Sequence, residues 1–255
     1  MIITGFKKSG KTSLIEDLIA ALKKRGHKVG VIKHTLRAHS LDTPGKDTWR
    51  YKKAGACVSA LLTPTESGIF LDHSLQLGDT IAFLRSCDIV LLEGFKELEI
   101  APRIIVAQEA DDIVKLRNGL EVAVIRKFRS GNLEDPQVPV LDSSALNELA
   151  DIVETKAMPL LAGRDCGKCG YSSCKDLAKA VLVGDADATR CVNMSSEEVR
   201  VFLDGAQLDI NPFVGSVIRN VIMGVLSALK GVGNQETVEV QFNVERAPSK
   251  EGEKP

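Results

Sequence analysis

Gly5-Phe6-Lys7-Lys8-Ser9-Gly10-Lys11-Thr12 is the stretch on which the fold of this chain turns. It matches the phosphate-loop pattern G-x-x-x-x-G-K-[ST] at every fixed position. Such a loop needs a strand to deliver it and a helix to receive it. Met1–Thr4 is a short apolar strand, and Leu14, Ile15, Leu18, Ile19 and Leu22 recur at i, i+3 and i+4, the period of an amphipathic helix. Lys23, Lys24 and Arg25 fall in its last turn and Gly26 stops it. Val29–Ile32 is a second apolar strand. The chain therefore opens as a βαβ unit, which predicts an α/β fold with a mainly parallel sheet and helices on its faces.

The chemistry follows from the loop. Its glycines let the backbone curl so that N–H groups point at phosphate oxygens, and the helix start adds its dipole. Lys11 supplies charge to the β- and γ-phosphates, and the Thr12 hydroxyl ligates Mg²⁺. Lys7 and Lys8 face either phosphate or solvent. A metal-ordering acid should close a neighbouring strand at the same edge. Asp88-Ile89-Val90-Leu91-Leu92-Glu93-Gly94 offers two carboxylates, and strand polarity separates them: Glu93 at the phosphate edge, Asp88 at the other end. Lys11 and Glu93 are the candidate catalytic residues.

Asp42-Thr43-Pro44-Gly45-Lys46-Asp47-Thr48-Trp49-Arg50 comes after the second strand, on the phosphate side. Asp42 or Asp47 could reach Mg²⁺ through water, and Lys46 or Arg50 could meet phosphate. The alternative is a polar loop leading into a helix with Trp49 packed beneath it. His34, at the same edge, reads as a hydrogen-bonded structural residue rather than a catalyst. The chain has no Asn-Lys-x-Asp guanine motif, so spacing alone does not choose GTP over ATP.

Charge supports an anion site near the start. The net charge is −1, yet residues 1–53 hold 13 Lys and Arg against 4 Asp and Glu. With 8 Phe, 2 Tyr and 1 Trp in 255 residues, stacking on single-stranded nucleic acid is not expected. The apolar run Phe213 to Leu229 contains Arg219 and Asn220 and is too short to span a membrane. The N-terminus lacks a secretory pattern, so a cytoplasmic, reducing setting is expected.

Further strands are predicted at Ala56–Leu62, Ile69–Leu71, Arg103–Val106 and Glu121–Ile125, with a helix at Leu77–Ser86. A second helix, capped by Ser143 or Ser144, runs to about Lys156. Val199–Leu203 and Gln207–Ile210 flank Asp204-Gly205 as a hairpin. Asn211-Pro212 opens a helix that Gly231 closes, and Thr237–Glu245 alternates as a strand. The expected organisation is a nucleotide-binding domain at 1–158, a small helical cysteine module at 159–193, a ββαβ module at 194–245 and a disordered tail at 246–255.

Cys166, Cys169, Cys174 and Cys191 fall within 26 residues. In a reducing compartment such a group reads as metal-binding. Four thiolates with a tight three-cysteine loop and one distant member suit a [4Fe-4S] cluster. Zinc is the main alternative, although structural zinc sites usually pair two-cysteine knuckles or add His, and free thiols are the other. Ala178, Ala180 and Gly184 would let a helix pack close to the cluster. Cys57 and Cys87, in apolar runs, are expected to be buried core residues.

Residues 1–156 resemble the molybdopterin-guanine dinucleotide biosynthesis protein B (MobB) family. The resemblance rests on five ordered motifs: Gly5 to Leu14, Val29-Gly30-Val31-Ile32-Lys33-His34, Asp42-x-Pro44-Gly45-Lys46-Asp47-Thr48-Trp49-Arg50, Ala54-Gly55-Ala56 and Leu92-Glu93-Gly94-Phe95-Lys96. It implies a GTP-binding, weakly GTP-hydrolysing adapter, usually a homodimer, that assists a molybdenum cofactor guanylyltransferase acting on molybdopterin. It implies that Gly10, Lys11 and Thr12 bind phosphate and Mg²⁺, favours Asp42, Lys46, Asp47 and Arg50 as ligand-loop residues and makes Glu93 a metal or water partner; Gly5, Lys8, Ser9 and Ser13 complete the candidate nucleotide-binding set. The cysteine spacing resembles the iron–sulfur module of Rnf-type electron-transport and corrinoid iron–sulfur proteins. Three rival readings are a nucleotide-driven iron–sulfur carrier or electron-transfer protein, a P-loop kinase of a small metabolite with Arg126, Lys127 and Arg129 as its cationic lid, and a non-catalytic interaction module with degenerate nucleotide binding.

Overall fold

The structure is a computed structural model that describes residues 1–36, 40–127 and 138–193, and then 199, 201–203, 206–208, 210, 212–229, 238 and 240. Two compact units divide the chain, Met1–Met194 and Ser195–Pro255. Each is described by itself.

The first unit is built on six parallel strands: β1 (Ile2–Thr4), β2 (Val29–Lys33), β5 (Ile89–Glu93), β6 (Arg103–Ala107), β7 (Glu121–Arg126) and β8 (Val140–Asp142). Their order is β2-β5-β1-β6-β7-β8. All five residues of β6 are buried, as a strand covered on both faces requires. The period-2 alternation of side chains divides the core between the two faces. Ile3, Leu91, Ile104, Val106 and Ile125 meet Leu14, Leu18 and Leu22 of α1 (Lys11–Lys24) and Leu149, Ala150 and Val153 of α5 (Leu146–Lys156). On the other face, Ile105, Ala107 and Val124 pack with Ile113 and Leu116 of α4 (Ala110–Leu116). Leu18 is fully buried, and cutting it to Ala would cost about 2–5 kcal/mol. On the surface, α1 and α5 are tied by Arg25, whose Nη1 lies 2.5 Å from Asp151 and 2.7 Å from Glu154.

β3 (Val58–Leu62) and β4 (Ser67–Leu71) form an antiparallel pair of their own, outside the main sheet. Between β2 and β3 lies α2 (Asp47–Lys53), with Trp49 half-buried. The helix expected over Leu77–Ser86 is shorter, α3 (Leu77–Ala82). The helix cap expected at Ser143 or Ser144 is instead Ala145, which makes no side-chain cap bond. Two elements before α5 were not anticipated. One is β8, three residues long. The other is α4, whose start is a capping box between Glu109 and Asp112.

After α5, the cysteine-bearing residues 159–193 stay within the first unit and carry α6 (Cys174–Val183) and a 3₁₀ turn, Ala188–Arg190. Leu161, Leu177, Ala178, Ala188 and Cys191 pack there with Leu120, and Ile100 lies against them.

In the second unit, β9 (Val201–Leu203) and β10 (Ala206–Leu208) pair antiparallel with Leu203 opposite Ala206, the expected hairpin. The turn Asp204-Gly205 lies outside the described residues. So do Asn211, the expected helix stop at Gly231, the tail 246–255 and the strand expected over Thr237–Glu245, save Val238 and Val240. The helix expected from Pro212 is α7 (Pro212–Leu226).

Candidate functional site

The phosphate loop joins β1 to α1. Backbone freedom is needed at two of its positions. A Cβ on Gly5 would sit 2.6 Å from both the Ser9 hydroxyl and the Val106 carbonyl oxygen, and Gly10 holds φ +83°. Gly10 is also the N-cap of α1 and provides no side-chain cap, which leaves the first N–H groups of the helix turned toward the loop. Lys8 also adopts a left-handed conformation, φ 66°, and its carbonyl accepts Gln108 Nε2 at 3.0 Å. The Lys11 ammonium curls over the cradle, donating to Gly5 O at 3.1 Å, Phe6 O at 2.6 Å and Ser9 Oγ at 3.2 Å. Burial pushes the Lys11 pKa down; Glu93 opposes the shift, while Lys96 and Lys33 add to it.

Glu93 stands where strand polarity placed it. The parallel register sets it opposite Ile3 of β1 and Lys33 of β2. Its buried carboxylate accepts the Thr12 hydroxyl at 3.1 Å and lies 3.0 Å from Lys33 Nζ, both at Oε1. Asp88, at the opposite end of β5, instead accepts Lys28 N at 2.6 Å. Two hard oxygen donors, a hydroxyl and a carboxylate, meet at the mouth of a phosphate loop. That donor set suits Mg²⁺, whose remaining ligands come from water and phosphate.

Beyond Glu93 the backbone turns sharply, with Gly94 at φ 98° and Phe95 at φ 44°. A Cβ on Gly94 would lie 3.1 Å from His34 O. His34 packs its ring on Phe95, centroids 5.0 Å apart, which agrees with a structural role. Lys96 sits over the Phe6 ring at 4.0 Å. Arg103, fully buried, holds this segment by donating to Lys96 O, Leu98 O and Leu116 O.

The expected segment Asp42 to Arg50 makes local contacts. Asp42 is buried and accepts Thr43 N at 2.7 Å, and Asp47 pairs with Arg50 at 3.7 Å. Lys46 is the exposed N-cap residue of α2. Among the described residues no hydrogen bond or ion pair joins these four to the loop. Ser13, in the first turn of α1, is exposed. Sequence reasoning assigned no role to Lys33, Lys96 or Gln108, and gave Lys127 one only as part of a kinase lid. Lys127 Nζ lies 3.2 Å from where a Gly10 Cβ would be. Of the suggested kinase lid, Arg126 faces Asp142 at 3.5 Å, and Arg129 lies outside the described residues.

The four clustered cysteines come from one loop and the ends of two helical pieces. Cys174 opens α6, its N–H donates to Asp165 Oδ1 at 2.6 Å, and its sulfur accepts Asp165 N at 3.4 Å. Cys166 Sγ accepts Asn193 Nδ2 at 3.0 Å, which draws the loop to the residues after Cys191. Asp165, Gly167 and Gly170 all have positive φ, so the loop curls tightly. Cys174 and Cys191 are buried, Cys169 is half-buried and Cys166 is exposed. Burial pushes the Cys174 thiol up. Four cysteines, the sulfurs of two of which accept N–H donors, suit an iron–sulfur cluster by the chemistry of the donor set. Among the described residues no three His, Cys, Asp or Glu side chains are arranged to hold a single metal ion. Cys57 corrects an expectation: it is exposed, because it leads into a two-stranded hairpin that covers little, and Cys87 is half-buried.

A parallel sheet whose first strand feeds a glycine loop, with a lysine, a threonine and a strand-end glutamate converging there, defines a P-loop α/β protein. Residues 1–127 match the family model described as "MobB: Molybdopterin guanine dinucleotide synthesis protein B", and residues 161–192 match one described as "Putative Fe-S cluster". A relative from Methanocaldococcus jannaschii, "Putative molybdopterin-guanine dinucleotide biosynthesis adapter protein", is 30% identical over 250 residues, 96% of this chain and 97% of the relative. The "Molybdopterin-guanine dinucleotide biosynthesis adapter protein" of Haemophilus influenzae is 33% identical over 60% of this chain and 85% of its own length. The crystal structure of Bacillus subtilis MobB superposes with a TM-score of 0.54 at 26% identity, covering 61% of this chain and 96% of that one. The chain belongs to the MobB family. Among the described residues no helix is long and apolar enough to cross a membrane.

Proposed function

We propose that this protein is a GTP-binding, slowly GTP-hydrolysing adapter in molybdopterin guanine dinucleotide biosynthesis that carries a [4Fe-4S] cluster. The observation that carries the nucleotide half is the meeting of Thr12 and Glu93 at 3.1 Å beside the Lys11 cradle. Gly5, Lys8, Ser9, Gly10, Lys11, Thr12 and Ser13 wrap the phosphates. The Lys11 ammonium leaves its loop carbonyls and donates to the β- and γ-phosphates, and Thr12 and Glu93 hold Mg²⁺ directly or through water. The metal, when bound, neutralises charge on the phosphoryl group being transferred. Asp42, Lys46, Asp47 and Arg50 complete the site if α2 and the loop before it close on the ligand. GTP is preferred on family grounds. The partners are a molybdenum cofactor guanylyltransferase, with molybdopterin as its substrate, and a second copy of the chain.

Cys166, Cys169, Cys174 and Cys191 would each ligate one iron. The domain division proposed is 1–158 for the nucleotide and 159–193 for the cluster. A second reading makes the cysteines the working end, with nucleotide driving electron or cluster transfer. It is supported by Lys175, next to Cys174, which lies 2.7 Å from Glu99 on the segment that follows Glu93. Anaerobic purification with iron and sulfide analysis tests the cluster. About four irons per chain and a brown protein are expected; a colourless zinc protein would overturn it. Nucleotide-dependent transfer of the cluster to an apo-protein would favour the second reading.

A further inference from the structure

Lys33 closes β2 directly opposite Glu93, the last residue of β5. Its ammonium lies 3.0 Å from Glu93 Oε1, and that same oxygen accepts the Thr12 hydroxyl at 3.1 Å. The two side chains differ sharply in exposure: 9% for Glu93 and 59% for Lys33. A buried carboxylate needs a counter-charge. Lys11 is committed to two carbonyls and a hydroxyl of its own loop, so Lys33 supplies the direct ion pair. A lysine on a flexible, solvent-facing stem is also the kind of partner that can be exchanged.

We propose that Lys33 is the exchangeable counter-ion of this site. It neutralises Glu93 until the carboxylate takes up a divalent cation. It then turns to the terminal phosphate of bound GTP, where its charge favours hydrolysis. The inference rests on the reading of the phosphate loop as a GTP site. In hydrolysis a water oxygen bonds to the γ-phosphorus. The bond from that phosphorus to the β–γ bridging oxygen breaks, and its electron pair stays on GDP. One water proton remains with the inorganic phosphate and the other is released to solvent. Negative charge accumulates on the bridging and γ-oxygens, which is where an ammonium donor lowers the barrier.

A lysine that merely braced β2 against β5 would affect stability. An exchangeable counter-ion has two other signatures. Removing it frees Glu93 for the metal, so less Mg²⁺ is needed. It also removes charge stabilisation felt most in the transition state, so turnover falls more than affinity.

The test uses the full chain with Lys33→Met and Lys33→Arg. GTP turnover is measured, and Mg²⁺ is titrated while binding of a fluorescent, non-hydrolysable GTP analogue is followed. For Lys33→Met we expect kcat to fall about 100-fold, with KM within about threefold of wild type. We also expect a lower Mg²⁺ midpoint. Lys33→Arg, which keeps the charge, should recover most of the turnover. Unchanged turnover in Lys33→Met, or a higher Mg²⁺ midpoint, overturns the proposal while leaving the GTP site intact. Failure of the wild-type chain to bind GTP overturns the reading beneath it, and the proposal with it.

Discussion

The Thr12 hydroxyl donates to Glu93 Oε1 across 3.1 Å, joining the first turn of α1 to the end of β5, 81 residues apart in sequence. Only a parallel β1–β5 pairing brings these two together. Ile3 lies opposite Glu93, and the loop that leaves β1 immediately afterwards must pass over it. Because both side chains would serve one cation, their contributions should not add. Thr12→Ala and Glu93→Gln should each weaken Mg²⁺-dependent GTP binding. A double-mutant cycle should show a coupling of about 0.5–3 kcal/mol, and strict additivity would mean the pair has no shared ligand.

Gly5→Ala should damage the loop more than its size suggests. The new methyl would lie 2.6 Å from the Val106 carbonyl oxygen, a backbone atom that cannot turn away. Overpacking of this kind costs about 1–3 kcal/mol. Loss of nucleotide binding together with a lower denaturation midpoint is expected. A variant that matches wild type in both would show that the loop tolerates the methyl.

Arg103 should be among the most sensitive buried positions. Its guanidinium is fully buried, and burial lowers its pKa. Its three bonds go to carbonyls rather than to a carboxylate, so removal leaves Lys96 O, Leu98 O and Leu116 O without that donor. Arg103→Ala should destabilise the chain by about 1–3 kcal/mol for each buried carbonyl it leaves without a partner, measured by urea unfolding. Because the carbonyls of Lys96 and Leu98 sit just beyond Glu93, nucleotide binding should weaken with it.

The tie between α1 and α5 should respond to acid. Glu154 has its pKa lowered, first by the hydrogen bond with His27 and then by Arg25. A carboxylate with a depressed folded-state pKa stabilises the protein above its unfolded pKa, and that contribution disappears as pH falls through the folded one. Glu154→Gln should therefore narrow the stability difference between neutral and acidic pH, most visibly at low salt. The pair is on the surface and the effect should be small. Identical pH profiles for variant and wild type would remove the ion pair from the account.

The sequence and the structure agree where local pattern carries the information. The loop was legible because its glycines, lysine and threonine are fixed by backbone geometry, and Glu93 because strand polarity distinguishes it from Asp88. Lys33 and Lys96 were not, since only the pairing of β2 with β5 and the turn at Gly94-Phe95 bring those charges to the loop. β8 is three residues after Pro139, too short to announce itself by alternation. α4 was hidden by its acidic first turn, where Asp112 is spent on the capping box rather than on solvent. Ser143 and Ser144 look like caps, yet Ala145 holds that position. Cys57 looked like core because its neighbours are apolar, but a two-stranded hairpin leaves it exposed.

The proposed cluster divides the cysteines by role. Replacing Cys166, Cys169, Cys174 or Cys191 by Ala should each cost bound iron in anaerobically prepared protein, whereas Cys57→Ala should leave the iron content unchanged. Full iron retention after loss of any one of the four would remove that residue from the ligand set.

The central claim is that the loop from Gly5 to Thr12 binds guanine nucleotide. Calorimetric titration of GTP with Mg²⁺ into the full chain, wild type beside Lys11→Ala, tests it most directly. Saturable 1:1 binding by the wild type and its loss in a folded Lys11→Ala variant is the predicted result. Equal GTP affinity in the two proteins would contradict it.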